Sequence, residues 1–235
     1  MALPELNTAR YTMVLPSTGE TIEYRPYLVK EEKILMMAME SEDQQAVMKA
    51  IIDVIKACLL TELDVNVLPM FDIETLFLAL RSKSVGESVD LKVKCTIDDC
   101  QEISDVNVNF DDIEHPVVGE EQTKIMLTDD VGVVMRYPSV DSVATMANAE
   151  ENADNALKMI IKCIDSIFDA DDVYPVENET DKSLLKFIES LNSVQFYKLS
   201  DFFNQMPSLS TTIDWTCSCG KKQSKELRGL GSFFT

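Results

Sequence analysis

Val89-Asp90-Leu91-Lys92-Val93-Lys94-Cys95-Thr96-Ile97-Asp98-Asp99-Cys100 is the stretch on which the reading of the fold turns. From Val89 to Val93 apolar and polar residues alternate strictly, the signature of a strand with one buried face. The strand runs into a C-x4-C pair, and Val106-Asn107-Val108-Asn109-Phe110 alternates in the same way beyond it. Cys95 and Cys100 therefore belong at the tip of a β-hairpin. The chain ends on a similar arrangement: strand-like Thr211 to Trp215 leads to Cys217-Ser218-Cys219-Gly220, and Lys221 to Lys225 begins a return strand. Two such knuckles offer four thiolates, Cys95, Cys100, Cys217 and Cys219, and four soft sulfur ligands in a tetrahedron suit zinc. A structural zinc contributes about 10–16 kcal/mol of apparent folding free energy in small fingers. That is comparable to the whole stability of many domains, about 5–15 kcal/mol. The usual ribbon carries C-x2-C at both knuckles, and a C-x-C pair strains its turn. Buried free thiols, a vestigial site with fewer ligands and a disulfide are the competing readings. Cys58 and Cys163 lie in helical apolar stripes and are assigned to the core.

Outward from these hairpins, the chain reads as two similar halves. Tyr11 to Leu15 and Thr21 to Arg25 are expected strands around the turn Pro16-Ser17-Thr18-Gly19. Helices follow from Lys30 to Glu40 and from an Asp43 cap to Leu60, and a third is expected to begin on an Asp72 cap. In the second half, Lys124 to Leu127 and Val133 to Tyr137 form another short strand pair. Ser139 to Ala147 and Glu151 to Phe168 are expected helices, the second striped by Ala153, Ala156, Leu157, Ile160, Ile161, Ile164 and Ile167. An acidic loop, Asp169 to Glu179, precedes two further helical segments, Leu184 to Leu191 and Val194 to Met206. Leu15…Gly19…Tyr24-Arg25-Pro26 answers Leu127…Gly132…Arg136-Tyr137-Pro138, Met37-Ala38 answers Met146-Ala147, and Lys56-Ala57-Cys58 answers Ile161-Lys162-Cys163. The expectation is an α+β fold of two pseudo-repeats, residues 1–118 and 119–235, as two domains or one compact unit, joined by a shared zinc-ribbon-like site.

Composition limits the function. The chain has 235 residues, 46% of them apolar and 26% charged, an ordinary globular composition. Its net charge of −20 opposes binding to nucleic acid and leaves basic protein surfaces as partners. No apolar run is long enough to span a membrane. The start, Met1-Ala2-Leu3-Pro4-Glu5, lacks a secretory pattern, so a reducing cytoplasm is expected. The seven glycines form no phosphate-cradling motif, and the single His115, before Pro116, reads as a solvated loop residue. Asp169-Ala170-Asp171-Asp172 hints at calcium but lacks the Gly and Glu of an EF-hand loop. No catalytic constellation emerges, and an enzyme is not expected. Met36, Met37 and Met39, with Phe196, Phe202, Phe203 and Met206, read as core. The apolar ending Leu230-Gly231-Ser232-Phe233-Phe234 is expected to fold back or to anchor a partner.

Leu15-Pro16-Ser17-Thr18-Gly19-Glu20 through Tyr24-Arg25-Pro26-Tyr27-Leu28-Val29-Lys30-Glu31-Glu32-Lys33 resembles the amino-terminal region of the T-even-type phage baseplate hub assembly protein family. So do Phe71-Asp72-Ile73-Glu74 through Leu78-Ala79-Leu80-Arg81-Ser82-Lys83-Ser84-Val85-Gly86-Glu87 and the ending Cys217-Ser218-Cys219-Gly220 with Leu227-Arg228-Gly229-Leu230-Gly231-Ser232-Phe233-Phe234. The resemblance implies a non-enzymatic structural or assembly protein of a contractile tail. It would bind hub, tail-tube or tape-measure proteins, in a symmetric ring in the assembled tail. Its place would be the virion baseplate, or the host cytoplasm during assembly. A tape-measure chaperone released before maturation and a zinc-ribbon regulatory module are the alternatives.

Overall fold

A computed structural model describes residues 7–41, 43–97, 100–147 and 153–234. The chain divides into two compact units: Met1–Val65, Phe71–Pro116 and Ser208–Thr235 form the first, Asn66–Met70 and Val117–Pro207 the second. The chain passes from the first unit to the second between Pro116 and Val117. The terminal segment, however, groups with the amino-terminal unit instead of with its sequence neighbours.

The first unit opens with the antiparallel hairpin β1 (Tyr11–Val14) and β2 (Thr21–Tyr24). Helices α1 (Val29–Glu40), α2 (Gln44–Cys58) and α3 (Met70–Ser84) follow. Asp43 caps α2, its carboxylate accepting the Gln45 N–H at 2.9 Å. Asp72 is not the cap expected of α3: the helix has already begun at Met70, and the buried Asp72 carboxylate accepts the backbone N–H (3.1 Å) and hydroxyl of Ser17. It thereby pins the β1–β2 turn to α3. Burial on many sides of α3, from Phe71 and Ile73 through Leu76, Phe77, Leu78 and Leu80, marks it as a central helix. The hairpins β3 (Ser88–Lys94)–β4 (Ile103–Asn109) and β9 (Ser210–Thr216)–β10 (Lys222–Arg228) also belong here, with the short terminal helix α9 (Gly231–Phe234).

Helix α1 departs from expectation. Met36, Met37 and Met39 are more than half exposed, and only Glu31 and Leu35 are buried. The reason is an ion pair. Arg25 reaches Glu31 at 2.9 Å, and the other Glu31 oxygen accepts the Leu28 N–H at 2.8 Å. This pairing turns the face bearing Glu31 and Leu35 inward and the methionines outward. The carboxy terminus folds back: Leu230 and Phe233 are buried, Phe233 completely, so neither is a free anchor. The Phe234 side chain lies outside the described residues.

The second unit holds α4 (Glu120–Thr123) and a four-stranded antiparallel sheet in the order β5 (Lys124–Met126), β6 (Gly132–Met135), β7 (Ile164–Phe168), β8 (Val173–Pro175). Helices α5 (Val140–Ala147), α6 (Ala153–Lys162), α7 (Asp181–Glu189) and α8 (Ser193–Asn204) complete it. Its core gathers Leu127, Val133, Met135, Ile160, Cys163, Ile164, Ile188, Leu199 and Phe202, with Phe196 and Phe203 packed against it. The long helix expected to reach Phe168 stops at Lys162. Ile164 and Ile167, read as helical stripe, pair with Met135 and Val133 as strand residues. The β-branched Ile164 and Ile167 satisfy either period over so short a run, and the sheet position prevails. The expected start at Glu151, the Ala153 and Ala156 side chains and the Met146–Ala147 side chains lie outside the described residues. The acidic loop contains β8, and Asp169 accepts the Asp171 and Asp172 N–H groups at 2.9 Å each, an internal turn.

Candidate metal centre

Each cysteine pair sits where a hairpin turns. Cys95 follows the last residue of β3, and its N–H donates to the Glu102 carbonyl at 3.0 Å. The Cys100 N–H donates to the Ile97 carbonyl at 2.9 Å. At the second tip, the Cys217 N–H donates to the Lys221 carbonyl at 3.0 Å and the Gly220 N–H to the Cys217 carbonyl at 2.8 Å. That tight return needs a left-handed residue, and Gly220 supplies it with φ 81°. The C-x-C spacing is thus accommodated by a glycine immediately after it.

The tips meet. One sulfur from each of Cys95, Cys100, Cys217 and Cys219 lies within 4.8 Å of the others. The Sγ atoms of Cys100 and Cys217, 117 positions apart in the chain, are separated by 3.8 Å. A tetrahedron with metal–sulfur bonds of about 2.3 Å has sulfur–sulfur edges of about 3.8 Å, so the spacing suits a single tetrahedral ion. Thr96, beside Cys95, binds the Gln223 side chain through its backbone N–H (3.4 Å) and its hydroxyl, locking one tip to the other. Cys95 and Cys217 are buried, Cys100 is partly buried and Cys219 is exposed, so the site is closed on one side and reachable on the other.

The thiols do not share one electrostatic environment. A hydrogen bond from the Cys219 N–H, aided by the neighbouring thiols, draws the Cys217 thiol down to about 7. At Cys100, a lowering bond from the Glu102 N–H is outweighed by desolvation and the other three thiols, and the group is pushed up to about 12. Four thiolates so close would repel, and a divalent cation relieves that repulsion. Lys94, Lys221 and Lys222 flank the cysteines in sequence and are exposed, adding positive charge around a centre that would carry net negative charge when metallated.

All four cysteines singled out from the sequence converge. Cys58 and Cys163 do not join them: both are buried, in different units, and burial pushes each thiol up to about 11. His115 is exposed in the loop after Glu114, which pairs with Ser210. Gln223 was missed, although its signal was present as a polar residue in phase with the buried Leu227 of β10. Glu74 was missed as well. From α3 it accepts the Leu209 N–H at 3.3 Å and the Leu230 N–H at 3.1 Å, clasping both ends of the terminal hairpin.

A family model described as T4 bacteriophage base plate protein matches residues 8–235. No curated relative matches, and no solved structure matches.

Proposed function

We infer the function from one premise: the chain belongs to the T4 bacteriophage base plate protein family. Within that family we assign it a non-enzymatic structural and assembly role at the baseplate hub, binding hub, tail-tube or tape-measure proteins. Zinc held by Cys95, Cys100, Cys217 and Cys219 would be structural. The observation that carries this reading is the convergence of four thiols from two distant hairpins, with no histidine or carboxylate in the cluster among the described residues. A four-sulfur set leaves no open coordination position for substrate, which favours scaffold over catalyst. The acidic surface, at net charge −20, favours basic faces on its partners.

The pseudo-repeat belongs to the same reading, and matching backbone wiring supports it. In the first unit the Arg25 N–H donates to the Cys58 carbonyl at 3.0 Å, and its guanidinium to the Ala57 carbonyl at 2.9 Å. In the second the Arg136 N–H donates to the Cys163 carbonyl at 2.7 Å, and its guanidinium to the Lys162 carbonyl at 3.1 Å. An arginine after a hairpin thus holds the end of a helix in both halves. Each half would then have contributed one cysteine-tipped hairpin to a zinc-ribbon-like site.

The test is affinity capture of the tagged full chain from infected cells, with mass spectrometry of purified particles. Co-purification with hub, tube or tape-measure proteins and presence in the particle are expected. Capture of the tape-measure protein with absence from the particle would favour a chaperone. Capture of host transcription proteins alone would contradict the reading.

A further inference from the structure

The face of α1 that points away from Glu31 and Leu35 is apolar and uncovered. Val29 (79%), Met36 (58%) and Met37 (61%) are exposed on it, with Ile34 and Met39 exposed at its borders. Surface methionine packs adaptably, and a contiguous exposed apolar patch marks a contact site. Two charges lie on the same face, Lys33 and Glu40, about two helical turns apart. Both are exposed, and neither has an ion-pair or hydrogen-bond partner among the described residues. The helix itself supplies none: no residue three or four positions from either one carries the opposite charge.

Charge selects the occupant. At a net charge of −20, most faces of two copies repel. The outer face of α1 carries Lys30, Lys33 and Glu40, with Glu32 half-buried at its edge, and does not share that acidic excess. Lys30 already leans on Glu31 at 3.4 Å. A uniformly basic partner, which suits the rest of the surface, would meet Lys30 and Lys33 with like charge. A second α1 does not. Packed antiparallel about a twofold axis between Met36 and Met37, it sets Met36 of each copy against Met37 of the other. The same register sets Lys33 of each copy against Glu40 of the other, and such reciprocal pairs fix direction and register. We infer that α1 pairs antiparallel with α1 of a second copy through this methionine centre and its two Lys33–Glu40 pairs. One face serves both copies, so the contact is isologous and closes at two. It does not use the cysteine centre and does not rest on the hub reading.

Sedimentation velocity on the full-length, metal-replete protein tests it by charge exchange. A contact of one helix face lies at the weak end of interfaces, so the parent should show a monomer–dimer equilibrium with Kd on the order of 100 μM. Lys33→Glu alone and Glu40→Lys alone should each weaken it by at least about ten-fold, because each change sets like charges opposed at both ends of the contact. Glu40→Lys makes the chain less acidic, so general repulsion between copies would predict the opposite result. Lys33→Glu/Glu40→Lys in one chain should dimerise like the parent. An equimolar mixture of the two single variants should also recover, since every pair then meets its opposite. Met36→Ser/Met37→Ser should abolish association. All four side chains are exposed, so unchanged helix content and metal content in each variant are expected and report an intact first unit. A parent still monomeric at about 1 mM, as when a different protein covers this face, would overturn the inference. So would association that continues past the dimer, that ignores the single changes, or that neither the exchanged chain nor the mixture restores.

Discussion

The pair Arg25–Glu31 shows how a single contact orients an element. Glu31 is 3% exposed and meets Arg25 at 2.9 Å, so the pair is held largely out of water. Desolvation acts to raise the Glu31 carboxyl, but the Arg25 and Leu28 hydrogen bonds prevail and hold it below its ordinary value. Its contribution to stability is therefore present above the ordinary carboxylate range and is lost as pH falls through the lowered pKa. Glu31→Gln is expected to destabilise the protein by about 1–3 kcal/mol at neutral pH, the cost of leaving a partly buried partner unmatched. The difference from the parent should shrink in acid, where Glu31 itself is protonated. Urea unfolding of both proteins at neutral and acid pH checks this, and a pH-independent difference would contradict it. This residue was not legible in advance. Arg25 and Glu31 are ordinary charged residues in sequence, and only the turn of the chain between β2 and α1 brings them together. The cysteines were legible, because thiol chemistry is rare and hairpin spacing restricts what it can do.

At the scale of elements, the period-two strands of the cysteine hairpins were read closely: β3 and β9 each contain the alternating run expected of them, and β4 contains all of its run but Phe110. Helix periodicity served less well where a helix abuts a strand. Met159, Ile160, Ile161, Ile164 and Ile167 form one apolar run, and only the pairing of β7 with β6 splits it after Lys162. In α1 the methionines Met36, Met37 and Met39 read as core, and the structure exposes them. The terminal hairpin depends on α3 through Glu74, whose two oxygens satisfy the N–H groups at Leu209 and Leu230. Burial raises this carboxyl, yet removing it would orphan two backbone donors. Glu74→Ala is expected to cost about 1–3 kcal/mol and to loosen β9–β10 selectively. Hydrogen exchange reads it out: the Leu209 and Leu230 amides should exchange faster than those of the β5–β6 pair in the second unit. Unchanged protection at both would count against the clasp.

For the molecule as a whole, the cysteine centre explains why the last segment belongs with the first unit. Ser208–Thr235 is separated from Phe71–Pro116 by the whole of Val117–Pro207, yet it joins the same unit. Three kinds of tie hold it there: the Glu114–Ser210 bridge, the Glu74 clasp and the convergence of the cysteine tips. Sequence order favoured a division into consecutive halves because local patterning is blind to contacts over a hundred residues. A metal that closes so long a loop stabilises mainly by restricting the unfolded chain and by its bonds to sulfur. The measurement that bears most directly on this is X-ray absorption at the zinc edge, with metal analysis, on full-length protein purified without chelator. The account predicts about one zinc per chain with four sulfur neighbours at about 2.3 Å, and loss of that signal when Cys100 and Cys217 are both changed to serine. Protein that is folded but metal-free, or zinc surrounded by nitrogen and oxygen, would contradict it.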